Sequence, residues 1–436
     1  MLRARRILTG RRRTVFWGFL DQGFSSVTNF GLSVLAGRLL GPSGLGVVFL
    51  SFSIYLIALL LQRSLVSETL LAITSAFDPE RRARTAGLGL TLSLLSGVGA
   101  TIAVLAFGLL LPGTGGAAFL LVAPWLVGSL LQDFWRNLLF RDRRPSAAAA
   151  NDGVWLLVMV VALPVAWIFR SEWAVMAVWG LGACGGAVLG FMQTRTAPSP
   201  IRDAWRWWRK EAWPFGRWNA AAEVVLNFGS NAAAFALAGI VGTRALGGFR
   251  AVVSLFAPLS LIGPAISLPG LPAVARAYAV SFRRARALAT QLSGIAVAAS
   301  LVFFTALLLG GWRLLPLLFG TSFKPYRDLV PAIAVSQVFS AVGVGFPLLL
   351  KAQQRGPFLL LSRLAVTIVG LGIVVASAAE YGLIGAAWGT AVVALISSLT
   401  LVWGVLRVPR STASPAPISG ADATPETATG STYLAP

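Results

Sequence analysis

Apolar and polar positions along this chain fall into long apolar windows, separated by short gaps rich in arginine, proline and glycine. A helix crossing a bilayer needs roughly 20 mostly apolar residues. Windows of that length recur at 15–37, 46–66, 87–111, 117–140, 151–169 and 173–193, and after a polar gap at 217–241, 248–269, 287–310, 329–350, 358–378 and 382–406. Because backbone groups in lipid must be satisfied within the segment, the pattern predicts an all-α polytopic membrane protein. Its spans form two six-helix bundles of residues 15–193 and 217–406. The remaining segments are a basic N-terminus at 1–14, an interfacial connector at 194–216 and a tail at 407–436. The tail is small, polar and proline-rich, and the pattern predicts disorder there. The connector WRWWRKEAWPFGRW interleaves basic and indole side chains, which favours the headgroup layer.

Composition removes several classes of function. With 56% apolar and 12% charged residues, and a mean hydropathy of +0.78, the chain has too little charge to cover a soluble surface. No gap between spans is long enough for a folded extramembrane domain. The sequence has no histidine, which removes the usual near-neutral proton relay. Its single cysteine, Cys184, sits in an apolar window and can form no intrachain disulfide. The first apolar window is too long for the core of a cleaved signal, and a related segment recurs in mid-chain.

A net charge of +21 raises nucleic acid as a partner, but its distribution points to topology. With the N-terminus inside, 26 of the 36 Lys+Arg residues fall on the inner side, seven on the outer side, and three within spans. The outer group is Arg38, Arg170, Arg244, Arg250, Arg313, Lys324 and Arg327. This bias is the positive-inside signal, and it puts both termini in the cytoplasm.

The two halves repeat. LAGRLLGPSGLG at 35–46 aligns with ALAGIVGTRALG at 236–247, so that Gly41, Leu45 and Gly46 fall on Gly242, Leu246 and Gly247. A weaker match joins LFRDRRP after span four to LKAQQRGP after span ten. Halves with an even number of spans run in the same direction and enclose a cavity between two bundles, as in parallel-repeat transporters.

Span one carries Gln22, Ser25 and Asn29 at helical spacing, with Asp21 at the edge of that face. Its counterpart, span seven, carries Asn219, Glu223, Asn227 and Asn231, one per turn. Each stripe holds a carboxylate about 6 residues, or ~9 Å, in from the inner side. Such stripes either join helix to helix or face a wet cavity; intramembrane carboxylates favour the cavity. The other intraspan charges are Arg63, Asp133, Arg136 and Arg363, all in the inner half. Each arginine alone can snorkel to the headgroups, and Asp133 and Arg136 are spaced to pair on one helix face. Together they outline an inner vestibule in which guanidinium groups suit a diphosphate. The carboxylates can brace those arginines, or bind H+ or Na+ as a coupling ion; no other cofactor is expected.

The run FLDQGFSSVTNFGLSVLAGRLLGPSGLGVVFL, its mid-chain echo and QDFWRNLLFRDRRPSAAAAND resemble bacterial polysaccharide (oligosaccharide, O-antigen) flippases. That family lies in the superfamily that also holds multidrug and toxin extrusion transporters and lipid II flippases. The resemblance implies a V-shaped two-bundle fold that moves an undecaprenyl-diphosphate-linked oligosaccharide to the outer leaflet by alternating access. It implies membrane lipids as surroundings, and polysaccharide polymerase and glycosyltransferases of one pathway as further partners. By position, Arg38 matches a recurring residue of the A-G-R-L-L-G motif, and the resemblance adds it to Arg63, Arg136 and Arg363 as a diphosphate-binding residue of the vestibule. The competing readings are a multidrug exporter of the same superfamily, which favours acidic aromatic cavities, and a membrane polymerase or ligase. The enzyme reading is opposed by short loops, by the lack of histidine as a base, and by the absence of Asp-x-Asp or phosphate-loop motifs.

Overall fold

A computed structural model describes residues 2–74, 77–310 and 313–407, and among them every regular element is helical. The side chains of Glu223 and Asn227, and the tail from 408 on, lie outside the described residues. Nine described helices are long and apolar enough to cross a membrane. The difference from twelve arises because spans are joined in pairs. One continuous helix, Leu2–Gln62, contains spans one and two and breaks only at Gly41. In the same way Trp213–Leu255 holds span seven and the start of span eight, with the break at Gly242. Gly356–Leu406 holds spans eleven and twelve, with the break at Gly382. The chain is thus an all-α membrane protein of two six-helix bundles.

The breaks are chemically determined. Gly41 and Gly242 have φ of 68° and 82°, a region where a Cβ is strained. Pro42 then opens the next helix, where its missing N–H costs nothing. The two breaks face one another. A Cβ on Gly46 would collide with the carbonyl of Thr243, and a Cβ on Gly247 with the carbonyl of Pro42. These contacts interchange under the 201-residue offset of the repeat, the signature of a pseudo-two-fold axis between the halves. Leu45 and Leu246, also equivalent, are both buried beside it.

The weaker repeat is a shared chain reversal. After span four, Arg143 takes φ 57°, Arg144 donates to the Leu139 carbonyl (2.9 Å) and Arg143 to that of Phe140 (3.1 Å). After span ten, Gln354 takes φ 56°, with Arg355 donating to Leu350 and Gln354 to Lys351, each at 3.0 Å. Both are Schellman caps with a non-glycine residue at the left-handed position.

The connector is a short helix, Ile201–Trp207, that runs through a wider turn at Trp208–Ala212 into span seven. Trp207 and Ala204 are buried against Val66, Leu70, Phe134 and Trp135. Trp208 donates from Nε1 to the Leu65 carbonyl (3.2 Å), and Trp205 and Trp213 remain exposed. The indoles thus divide between the base of the N-terminal bundle and the surface.

Candidate functional site

Span four is the hub of the N-terminal bundle's polar interior. Leu126–Arg141 presents Gln132, Asp133, Arg136 and Asn137 within two turns, and successive residues reach different neighbours. Asp133 accepts from Arg63 of span two, 3.0 Å from Nε to each carboxylate oxygen, and from Asn137 at 3.0 Å. Arg136 reaches across to Asp21 of span one, with Nε 3.0 Å from both oxygens and Nη2 closer still. It also lies 3.5 Å from Asp152 of span five. Gln132 donates to Asp152 (2.6 Å) and Asn151 (2.9 Å), and Asn151 donates to the Gly186 carbonyl (2.7 Å).

This arrangement corrects the local pairing expected from spacing: Asp133 and Arg136 serve different partners on different helices. Asp21, Asp133 and Asp152 are all nearly inaccessible, at 1%, 2% and 3% exposure. Charges so buried persist only when paired and hydrogen-bonded, and the forked guanidinium meets a carboxylate with two parallel bonds. The two arginines of this network are therefore already committed to carboxylates.

The rest of the span-one stripe points elsewhere. Asp21 is buried in the bundle, whereas Gln22 is exposed, and Ser25 and Asn29 are half-buried roughly a quarter-turn away. Asn29 and Ser33 line a small cavity with Phe49 and Arg250. Asn231, of the span-seven stripe, is half-buried.

Arg38 is placed away from the vestibule predicted for it. Its Nε donates to the Leu318 carbonyl at 2.7 Å, and Nη2 donates to that of Leu317. It thus satisfies the end of the short helix Leu314–Phe319. Seventeen residues of helix separate it from Asp21, roughly 25 Å along the axis.

The C-terminal bundle is built differently. Arg363 and Lys351, both exposed, line a cavity of about 830 Å³ together with Ser267, Ser340 and Ser397. Among the described residues no carboxylate contributes to that lining. Arg363 is therefore not brought together with Arg63 and Arg136 in one pocket. A second cavity, of about 450 Å³, carries Arg250, Ser336 and Gln337, and shares Val366 and Thr367 with the first.

Sequence reasoning missed Asp152, Gln132 and Arg250, and it read Lys351 only as a topological charge. Asp152 looked like a span edge because the apolar window opens at 151. The helix starts at Pro145, which puts Asp152 two turns inside. Arg250 counted as outer for the same reason. The helix resumes after Gly242, so Arg250 lies eight residues, or about 12 Å, beyond the break.

No protein-family profile and no curated protein matches the chain. Its fold, however, matches solved structures. An inward-facing multidrug resistance MATE family transporter of the MOP superfamily superposes with a TM-score of 0.69 at 16% identity, covering 89% of this chain and 98% of that one. The lipid II flippase MurJ in an inward closed conformation also gives 0.69, at 11% identity, covering 90% and 88%. A MOP superfamily transporter from Pyrococcus furiosus Vc1 (DSM3638), described as having a binding pocket of reversed polarity, gives 0.62 at 16% identity over 91% and 95%. The chain therefore has the fold of MOP superfamily transporters.

Proposed function

We propose that this protein flips an undecaprenyl-diphosphate-linked oligosaccharide across the bacterial cytoplasmic membrane, from the inner to the outer leaflet. The observation that carries the reading is the cavity of the C-terminal bundle, which among the described residues is lined by Arg363, Lys351 and four serines and by no carboxylate. Two cations without an ion pair among the described residues suit a diphosphate, and hydroxyls suit the first sugar. The prenyl tail remains in lipid. The fold is one that a lipid II flippase uses for a lipid-linked cargo.

The same fold serves multidrug transporters, but a site for cationic drugs calls for an unpaired carboxylate. The three buried acids of the N-terminal bundle, Asp21, Asp133 and Asp152, are bound by arginine or amide groups. Their part in this proposal is to brace the bundle that moves. Of the residues first assigned to the diphosphate, Arg363 is retained, with Lys351 added. Arg63 and Arg136 become positioning residues.

The test is mass spectrometry of membrane lipids from cells with and without the protein, combined with leaflet labelling. Accumulation of an undecaprenyl-diphosphate oligosaccharide in the inner leaflet is expected on loss. Unchanged intermediates with new sensitivity to cationic dyes would turn the assignment to drug export.

A further inference from the structure

The connector between the bundles has three faces, and the fold covers only one of them. At roughly 100° per residue, Ala204 and Trp207 fall on the side turned to the N-terminal bundle, and both are buried there. Ile201 and Trp205 fall on a second side, at 61% and 53% exposure. Indoles continue that side: Trp205 stacks on Trp208 with ring centroids 4.9 Å apart, and Trp208 meets Trp213 at 5.0 Å. Arg202, Arg206, Arg209 and Lys210 fall on the third side, and all four are exposed.

Acidic groups offset little of that charge. Asp203 lies 3.4 Å from Arg206, both more than half exposed, and Glu211 lies 3.9 Å from Arg81 of the helix Pro79–Leu110. Among the described residues Arg202, Arg209 and Lys210 enter no ion pair. An indole stripe beside a basic stripe suits a helix at headgroup depth, where rings enter the acyl boundary and cations meet phosphate. The spans that flank the connector, Glu172–Thr194 and Trp213–Leu255, hold it at a membrane face. Its inward attachments end on the wide turn Arg63–Ser67 and the residues just after it. Trp208 donates to the Leu65 carbonyl, and Trp207 packs on Val66 and Leu70. A Cβ on Gly216 would lie 2.9 Å from the Thr69 hydroxyl.

We propose that the two outward faces of the connector are a docking surface for anionic phospholipid. Arg202, Arg206, Arg209 and Lys210 bind its headgroup phosphates, while Ile201, Trp205 and Trp213 seat among its acyl chains. Lipid bound in this way clamps the connector onto the end of span two, where the chain passes from one bundle to the other. Charge complementarity selects anionic over zwitterionic lipid, because each cation near an anionic surface strengthens attachment about fivefold. The surface lies apart from the cargo cavity and is independent of the flippase reading.

The experiment places the full chain in nanodiscs of phosphatidylcholine, with or without phosphatidylglycerol, and follows amide hydrogen exchange in peptides covering 201–213. With phosphatidylglycerol, exchange of the wild-type connector is expected to slow about tenfold or more, while span five is unchanged. The slowing should shrink with added salt, as the Debye length falls from about 10 Å at 0.1 M to about 3 Å at 1 M. Arg209→Gln combined with Lys210→Gln should lose most of it. Arg283→Gln combined with Arg284→Gln, which removes equal charge from another exposed segment, should keep it. If the connector double variant does not fold, Arg202→Gln carries the same test at smaller amplitude. Equal connector exchange of wild type in the two lipids overturns the proposal. So does equal loss in both double variants, which assigns the effect to net charge. Slowing by soluble polyphosphate in phosphatidylcholine discs, with none from phosphatidylglycerol, overturns it in favour of a soluble acidic partner.

Discussion

At the scale of single residues, what separates the arginines of this protein is whether a carboxylate already holds them. Arg136 touches Asp21 and Asp152, both nearly inaccessible. Removing one member of such a group strands the others. Arg136→Gln is therefore expected to cost about 3–5 kcal/mol of stability, measured as thermal unfolding in detergent. The pair Arg136→Gln with Asp21→Asn should recover part of that loss. Arg363→Gln, on an exposed side chain with no carboxylate partner among the described residues, should change stability by no more than about 0.5 kcal/mol while greatly reducing flipping. If both variants lost stability equally, the division between bracing and binding arginines would fail.

At the scale of elements, backbone conformation at a few positions decides where helices stop and how closely they meet. Gly46 and Gly247 allow spans two and eight to touch backbone to backbone. Gly46→Ala is expected to cost about 1–3 kcal/mol of seam packing and to open the end of the molecule near Gly41. Reaction of Ser43→Cys with an impermeant maleimide, in a Cys184→Ser background, should accelerate accordingly; an unchanged rate would mean the seam does not close that end. At the opposite end, Arg143 and Gln354 occupy left-handed positions in matching caps. Glycine there relieves strain, so Arg143→Gly and Gln354→Gly should each stabilise by about 0.5–1 kcal/mol. Unfolding midpoints lower than wild type would refute this.

At the scale of the whole molecule, charge is distributed unequally between two bundles of like architecture. Among the described residues Arg63 and Arg136 of the N-terminal bundle are paired with carboxylates, whereas in the C-terminal bundle Lys351 and Arg363 line a cavity and Arg250 lies against the Phe49 ring with no ion pair. An anionic cargo would thus be held mainly by one bundle while the other moves against it. We propose that both termini lie on the cytoplasmic side, as twelve spans with the arginine bias predict. Tags at residue 1 and residue 436 should both be protease-resistant in intact spheroplasts and cleaved in inverted vesicles. Opposite behaviour of the two tags would demand an odd number of spans.

What the sequence by itself determined was the class and the symmetry. Hydropathy summed over about 20 residues is a strong signal for a spanning helix, and the Gly41 and Gly242 blocks marked both breaks and their equivalence before any coordinates. It also located Asp21, Asp133, Arg63 and Arg136 at one depth. Tertiary structure alone decided who meets whom. Helical phase assigns a residue to a face, but which helix covers that face depends on packing between elements distant in sequence. Arg136 meets Asp21, 115 residues away, rather than Asp133 three residues before it. Arg38 meets Leu318 across 280 residues. Helix ends escaped the sequence for a related reason. A sum over a window cannot register a boundary set by Pro145, or by the φ of Gly242. Shifts of only six residues at those boundaries moved Asp152 and Arg250 from apparent edges into the interior.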